Sequence, residues 1–182
     1  MRKMRRQRLL TADDPCFDFC WTLYVEAFPE EERRALGYHL ETLERDAFRF
    51  EVILLDDEPI GFFGWWDLDD FRYVEHFATS PDVRGRGYGE EALRQFIGEG
   101  VKPVILEVEP PVEEIARRRI GFYERVGFIL NPHAYAHPSY HDRQAPFVEL
   151  MIMSSPAPIT SAILDRFKQS HFPLIHFQHF EV

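Results

Sequence analysis

The chain has 182 residues and a formal net charge of −10, with 45% hydrophobic and 15% aromatic residues. That length and composition suit one globular domain with a proper core and exclude a disordered chain, and no apolar run is long enough to span a bilayer, so no membrane partner is expected. The acidic balance argues against nucleic acid, whose phosphates need a positive footprint, and favours a small cationic substrate.

The basic start, Met1 to Arg8, lacks the apolar segment of a secretory signal. Residues 7–10 read as a first strand, ended by the turn at Asp13-Asp14-Pro15. Apolar residues at helical spacing predict a helix over 17–28, broken by Pro29, and a second helical region from 30 to 43. Cys16 and Cys20 lie four apart beside Phe17 and Phe19, as buried thiols on one helical face would. An isolated pair of this kind is neither a disulfide framework nor a metal site, so the expected location is cytoplasmic. Residues 48–55 and 60–67 are predicted strands around a hairpin turn at Asp56-Asp57-Glu58-Pro59. The run Gly61-Phe62-Phe63-Gly64-Trp65-Trp66 is either a glycine-interrupted core strand or an aromatic wall for a substrate.

A strand over 73–79 then delivers a short turn at Ser80-Pro81-Asp82 and the loop Arg84-Gly85-Arg86-Gly87-Tyr88-Gly89, with a helix following over 87–98 and Ala92, Leu93, Phe96 and Ile97 as its buried stripe. Glycines at alternate positions let backbone approach a ligand closely, and the free N–H groups of the helix start favour an anion, usually phosphate. Arg84 and Arg86 add positive charge there. A nucleoside-triphosphate loop would need Lys-Ser/Thr where Glu90-Glu91 stand, and the glycine spacing does not fit the dinucleotide fingerprint. Further on, a strand is predicted over 103–108, a helix over 113–126, strands over 128–130 and 147–153, and a helix over 159–168.

The loop resembles the R-x-x-G-x-G/A motif of the GNAT acyltransferases, and Phe122-Tyr123-Glu124-Arg125-Val126-Gly127-Phe128 is similar to that family's tyrosine signature. Together the two motifs identify a resemblance over residues 50 to 153. It implies a single α/β domain over 1–182, with a mixed, mostly antiparallel sheet flanked by helices and splayed between the 73–79 and 103–108 strands to admit a pantetheine arm. Acceptor-side helices would occupy about 14–46, the cofactor-binding core about 50–153, and a C-terminal helix and tail about 157–182. The implied co-substrate is acetyl-CoA, held by Phe77, Ala78, Thr79, Arg84, Gly85, Arg86, Gly87, Tyr88 and Gly89. Family members often carry a small polar residue where this chain has Ala116-Arg117-Arg118-Arg119, which reads instead as a solvated cationic face. Homodimers are common in the family.

Acyl transfer from a thioester needs a neutral amine, and deprotonating an alkyl ammonium of pKa about 10.4 at neutral pH costs about 4–5 kcal/mol. A general base or a water chain lowers that cost. Glu75 is the first candidate; regular alternation puts it on one face with Tyr73, Phe77 and Thr79 and puts His76 on the other. The resemblance supports it, because many family members place a catalytic carboxylate on this strand. Glu107, beside Glu109 on the same face of the next strand, is the second. Either carboxylate could instead be a structural or substrate-orienting charge. Tyr123 stays protonated at neutral pH and can donate to the leaving thiolate, and its place in the motif matches the family's general acid. A backbone N–H of the Phe77 to Thr79 segment would polarise the carbonyl oxygen.

His133, His137 and His141 recur every four residues, but Pro132 and Pro138 exclude a continuous helix, so no metal is expected. Residues 131–141 are predicted as a loop, with Tyr135 and Tyr140 either at the acceptor entrance or in a surface crossover. His171, His176 and His179 show no pattern. The expected function is acetyl transfer to a primary amine of a small molecule or peptide by direct attack, since no cysteine lies near the motifs. The alternatives are a non-catalytic acyl-CoA-binding regulatory module and an unrelated nucleotide-binding domain.

Overall fold

Four strands carry the first part of the chain: β1 Met4–Leu9, β2 Phe48–Leu55, β3 Glu58–Asp67 and β4 Arg72–Thr79, in that order across the sheet. The computed structural model describes residues 2–176, which gather into two units. The first comprises the residues up to Asp67 with Tyr73–Gly100. β1 runs antiparallel to β2, with Met4 opposite Leu55 and Leu9 opposite Phe50. It starts three residues before the predicted strand because its charged residues find partners, Arg5 on Asp57 at 2.8 Å and Arg6 on Glu51 at 3.5 Å. The β2–β3 hairpin closes on Asp56 and Asp57, at φ 51° and 68°, a left-handed pair that Asp tolerates.

Helix α1, Phe17–Ala27, matches its prediction closely, with Cys16 half-buried just ahead of it and Cys20 buried within it. The region predicted as a second helix divides into a single 3₁₀ turn at Glu30–Glu32 and α2, Leu36–Leu43, because Arg33 and Ala35 are extended. Alternation along β3 sends Phe62 to Tyr24 of α1, 5.8 Å between ring centres, and Phe63 to Phe96 of α3, Tyr88–Gly98, at 5.0 Å. Phe62, Phe63 and Trp66 are fully buried, so the aromatic run is a core strand. Gly61 is needed there, since a Cβ on it would stand 2.5 Å from the Ala78 carbonyl oxygen of β4.

The second unit comprises Leu68–Arg72 and the residues from Val101 onward. Its strands are β5 Val104–Val108, β6 Ile129–His137 and β7 Val148–Ser155, with β7 antiparallel to both others and lying between them. Helix α4, Glu114–Val126, precedes β6, and α5, Ser161–His176, follows β7. The stretch predicted as a loop over 131–141 is therefore mostly strand. Its pairing with β7 shifts between Asn131 and Tyr135, and the irregularity absorbs Pro132 on a strand with a single partner. Asn131 fixes the break, donating to Ser154 Oγ at 2.9 Å and accepting from the Ile159 N–H at 2.9 Å. α5 runs past its predicted end because Phe167, His171 and Ile175, four apart, are all fully buried. Residues 177–182, with His179 and the end of the predicted tail, lie outside the described residues. No helix among the described residues is long and apolar enough to cross a membrane.

One buried imidazole sets an acid limit on the first unit. His39 of α2 is 2% exposed, ringed by Phe17, Trp21, Tyr24, Phe48 and Phe50 at 4.5–6.2 Å. Among the described residues neither of its nitrogens has a hydrogen-bond partner. Burial, then the positive charge of Arg34 and the nearby His76, hold its pKa down at about 3 from an ordinary 6.5, against a smaller opposing pull from Glu75. The unfolded chain thus binds a proton that the folded chain refuses. The His39 contribution to stability is complete above about pH 6.5 and is lost as pH falls toward 3, a range of up to about 5 kcal/mol. Replacing His39→Leu is expected to flatten the fall of stability between pH 6.5 and 4, as measured by denaturant unfolding at a series of pH values.

Candidate active site

β4 ends at Thr79, and Ser80 caps a single 3₁₀ turn at Pro81–Val83, its hydroxyl accepting from the Asp82 N–H at 3.3 Å. The chain then passes through Gly85 at φ 75° and Gly87 at φ 81°, left-handed conformations that side chains with a Cβ resist. Gly87 is the residue that caps α3, and Arg84, Gly85, Arg86 and Gly87 are all exposed. Tyr88 and Gly89 open the helix, where the first N–H groups lack intrahelical acceptors. The loop is thus shaped for an anion, with two arginines beside it. Phe77 lies over Phe63 at 4.6 Å, Ala78 packs against Gly61, and Thr79 is half-buried.

Glu75 is held by partners from outside β4. Its carboxylate takes both arms of the Arg34 guanidinium, at 2.6 and 2.9 Å, and a third hydrogen bond from the Trp66 indole at 3.1 Å. The Arg34 side chain is 1% exposed and that of Glu75 is not exposed at all. The Arg34 backbone N–H donates to the Tyr24 hydroxyl at 3.0 Å. His76, expected on the opposite face, stands with its Nδ1 3.9 Å from a Glu75 oxygen, while its Nε2 meets the Glu32 carbonyl at 2.7 Å. Two neighbours in β4 therefore both reach groups of the segment before α2, Glu75 the Arg34 side chain and His76 the Glu32 carbonyl. Arg34 and Trp66 carry no local signal of this role, being 41 and 9 residues from Glu75 in the chain.

The tyrosine signature has a plain structural logic. Gly127 ends α4 at φ 105°, and the Phe128 N–H returns to the Tyr123 carbonyl at 3.1 Å, a helix stop that favours glycine. Phe128 is buried and packs on the Tyr123 ring at 5.7 Å, with Phe122 at 5.3 Å. Burial pushes the Tyr123 hydroxyl up to about 12, with Arg119 a smaller opposing influence. Arg117, Arg118 and Arg119 form an exposed face, Arg119 pairing with Glu109 at 2.7 Å.

Glu107 of β5 is 10% exposed at its side chain and lies among groups that the sequence left scattered. Tyr135 donates to one carboxylate oxygen, His137 Nε2 lies 3.8 Å from the other, and His171 Nε2 lies 3.7 Å from the first. Burial alone would raise the Glu107 carboxyl, but His137, His171 and the Tyr135 hydroxyl draw it down to about 2. Of the three histidines at four-residue spacing, only His137 joins this group; His133 instead meets the Ile159 carbonyl at 2.7 Å. An open groove of about 310 Å³ lies elsewhere, in the first unit, along Asp18, Phe19, Thr22 and Glu26 of α1 and the adjoining Ser80 and Pro81.

A strand that feeds a glycine loop at a helix N-terminus, followed by a helix that carries Tyr123 in its last turn and stops at Gly127, defines an α/β acyltransferase fold. The profile of the Acetyltransferase (GNAT) family matches residues 14–128, and the chain belongs to that family as an N-acetyltransferase of its mixed, mostly antiparallel α/β type. It is similar to a GNAT-family protein from Bacteroides thetaiotaomicron, at 39% identity and a TM-score of 0.82, over 98% of this chain and 99% of that one. The fold is shared with the ribosomal-protein-S18-alanine N-acetyltransferase of Escherichia coli, 18% identical, TM-score 0.54, over 87% of this chain and 97% of that one. It is shared also with a Bacillus subtilis acetyltransferase in complex with CoA, 13% identical, TM-score 0.58, over 84% and 97%. A comparison with curated protein sequences returns no match.

Removing one partner of the Arg34–Glu75 pair leaves a buried charge unanswered, a loss of about 3–5 kcal/mol. Arg34→Met is expected to destabilise the protein by that amount in denaturant unfolding. Arg34→Met combined with Glu75→Leu should cost clearly less than the sum of the two single changes.

Proposed function

We propose that the protein moves an acetyl group from acetyl-CoA to a primary amine of a small, cationic molecule or peptide, by direct attack in a ternary complex. The observation that carries this reading is the left-handed Gly85 to Gly87 loop at the start of α3 with Arg84 and Arg86 exposed beside it, a seat for the cofactor's pyrophosphate. The Bacillus subtilis relative bound to CoA supports the same co-substrate, as does the fold shared with Arabidopsis thaliana Naa50 in complex with a bisubstrate analogue, 14% identical, TM-score 0.57, over 84% of this chain and 97% of that one. The family match from 14 to 128 draws on both units, which fits one catalytic domain. The acidic groove at Asp18 and Glu26 suits a cationic acceptor.

In this reading the amine nitrogen bonds to the acetyl carbon, the carbon–sulfur bond breaks, and the thiolate leaves. A backbone N–H of Phe77, Ala78 or Thr79 polarises the carbonyl oxygen. Tyr123 donates to the departing sulfur. With its hydroxyl near 12 and a thiol near about 8.5, full proton transfer is uphill by about 5 kcal/mol, so the hydrogen bond itself is the contribution. Burial raises the pKa of both Cys16 and Cys20, which leaves no reactive thiolate and favours direct attack over an acyl-enzyme. Those free thiols also fit the cytoplasmic location.

Neither carboxylate serves as the base. Glu75, wholly buried and answered by Arg34 and Trp66, anchors the segment before α2 against β4. Glu107, held ionised, is a poor proton acceptor at neutral pH. The amine proton then leaves through water.

Calorimetric titration with acetyl-CoA, ATP and NAD tests the cofactor. Micromolar binding of acetyl-CoA alone is expected, and Gly87→Glu, which forces a side chain into a left-handed conformation and sets an anion against the phosphates, should abolish it. Binding untouched by that change would end the reading. Tyr123→Phe should lower kcat for thiol release about 100-fold or more while leaving acetyl-CoA affinity unchanged.

A further inference from the structure

The Glu107 cluster lies within the second unit and has no place in the phosphate loop or the acyl chemistry. It brings together β5, β6 and α5, and one potential ligand atom from each of Glu107, His137 and His171 lies within 4.8 Å of the others. His171 is fully buried and His137 is 6% exposed. Their surroundings are aromatic: His171 stacks on Phe167 at 5.0 Å and 14°, Phe172 stands 5.8 Å away, and Tyr140 lies 5.0 Å from His137.

We propose that Glu107, His137 and His171 form a site for one divalent transition-metal ion of the zinc class. The donor set, two imidazoles and a carboxylate, is the borderline one that zinc and cobalt(II) take, and it leaves one tetrahedral position for water. Ligand atoms at bonds of about 2.0–2.1 Å from a tetrahedral ion stand about 3.4 Å apart. One Glu107 oxygen is 3.8 Å from His137 Nε2 and the other is 3.7 Å from His171 Nε2, and one ligand atom from each residue lies within 4.8 Å of the others, so the side chains must rotate and close in to share one ion. Tyr135 supplies the outer support such sites use, its hydroxyl donating to the Glu107 carboxylate. Bound there, the ion fastens α5 to β5 and β6, which explains why an imidazole, His171, sits on the buried stripe of that helix beside Phe167 and Ile175. The sequence predicts no metal site at His133, His137 and His141; the structure gathers a different trio, Glu107, His137 and His171, from three separate elements.

The test uses the full chain, stripped with a chelator and dialysed. Titration with ZnCl₂ by calorimetry is expected to show one ion per chain, and CoCl₂ should give the visible absorption of a tetrahedral cobalt(II) centre. Zinc should raise the melting temperature. His137→Gln and His171→Gln should each raise the zinc Kd at least about 100-fold, more than loss of an outer-shell partner does, while His133→Gln leaves it unchanged. In the unaltered chain, zinc should shift the imidazole NMR signals of His137 and His171 and leave those of His133 in place, a readout independent of whether the variants fold. No stoichiometric binding, or binding that ignores both substitutions or leaves both signals unmoved, overturns the site. Acetyl-CoA binding is read separately, so the acyltransferase reading stands or falls on its own result.

Discussion

The first unit depends on one buried charge pair. Arg34 and Glu75 meet through two hydrogen bonds with both side chains shielded from solvent, and Trp66 takes up a remaining lone pair of the carboxylate. Desolvating two ions costs several kcal/mol each, so such a pair contributes little net stability. What it contributes is a fixed arrangement. The Arg34 guanidinium also lies 5.8 Å above the Trp66 ring, and its backbone N–H is committed to Tyr24 of α1. The extended segment that leads into α2 can therefore sit on β4 in one way only.

The electrostatics of the polar groups divide along the same principle. Tyr123 gains nothing from a strong local charge, and burial keeps its proton on through the physiological range. Glu107 experiences the same burial but meets two imidazoles and a phenol, and the charges win. His39 has burial and a neighbouring cation working together, so it is held neutral inside a ring of aromatic side chains. Three groups, each removed from water, end with three different proton affinities because their neighbours differ.

Backbone geometry does the rest. Gly85, Gly87 and Gly127 take left-handed conformations at the beginning of α3 and the end of α4, and Gly61 lets β3 lie against the Ala78 carbonyl. Each glycine is placed where a side chain would strain the turn or fill the space that the strand needs. The glycine loop and the tyrosine signature are thus legible as backbone devices before any ligand is considered.

Much of the fold follows from local pattern. The period of 3.6 at Phe17, Cys20 and Tyr24 yields α1, the alternation through β2 and β3 yields a hairpin, and the glycine spacing marks the helix start at Gly87. These features depend on residues a few positions apart, which a sequence displays directly. The length of β1 and β6 is set by partner strands, and the reach of α5 by a buried face on another element, so neither end point was local. The same distinction separates the two carboxylates from their roles. Sequence alone determined that Glu75 and Glu107 lie on strands beside the family's motifs. Only the tertiary structure decided that Arg34, 41 residues away, takes the first, and that His137 and His171 surround the second, because the energy of a buried charge is fixed by whichever groups the fold brings within a few ångströms of it.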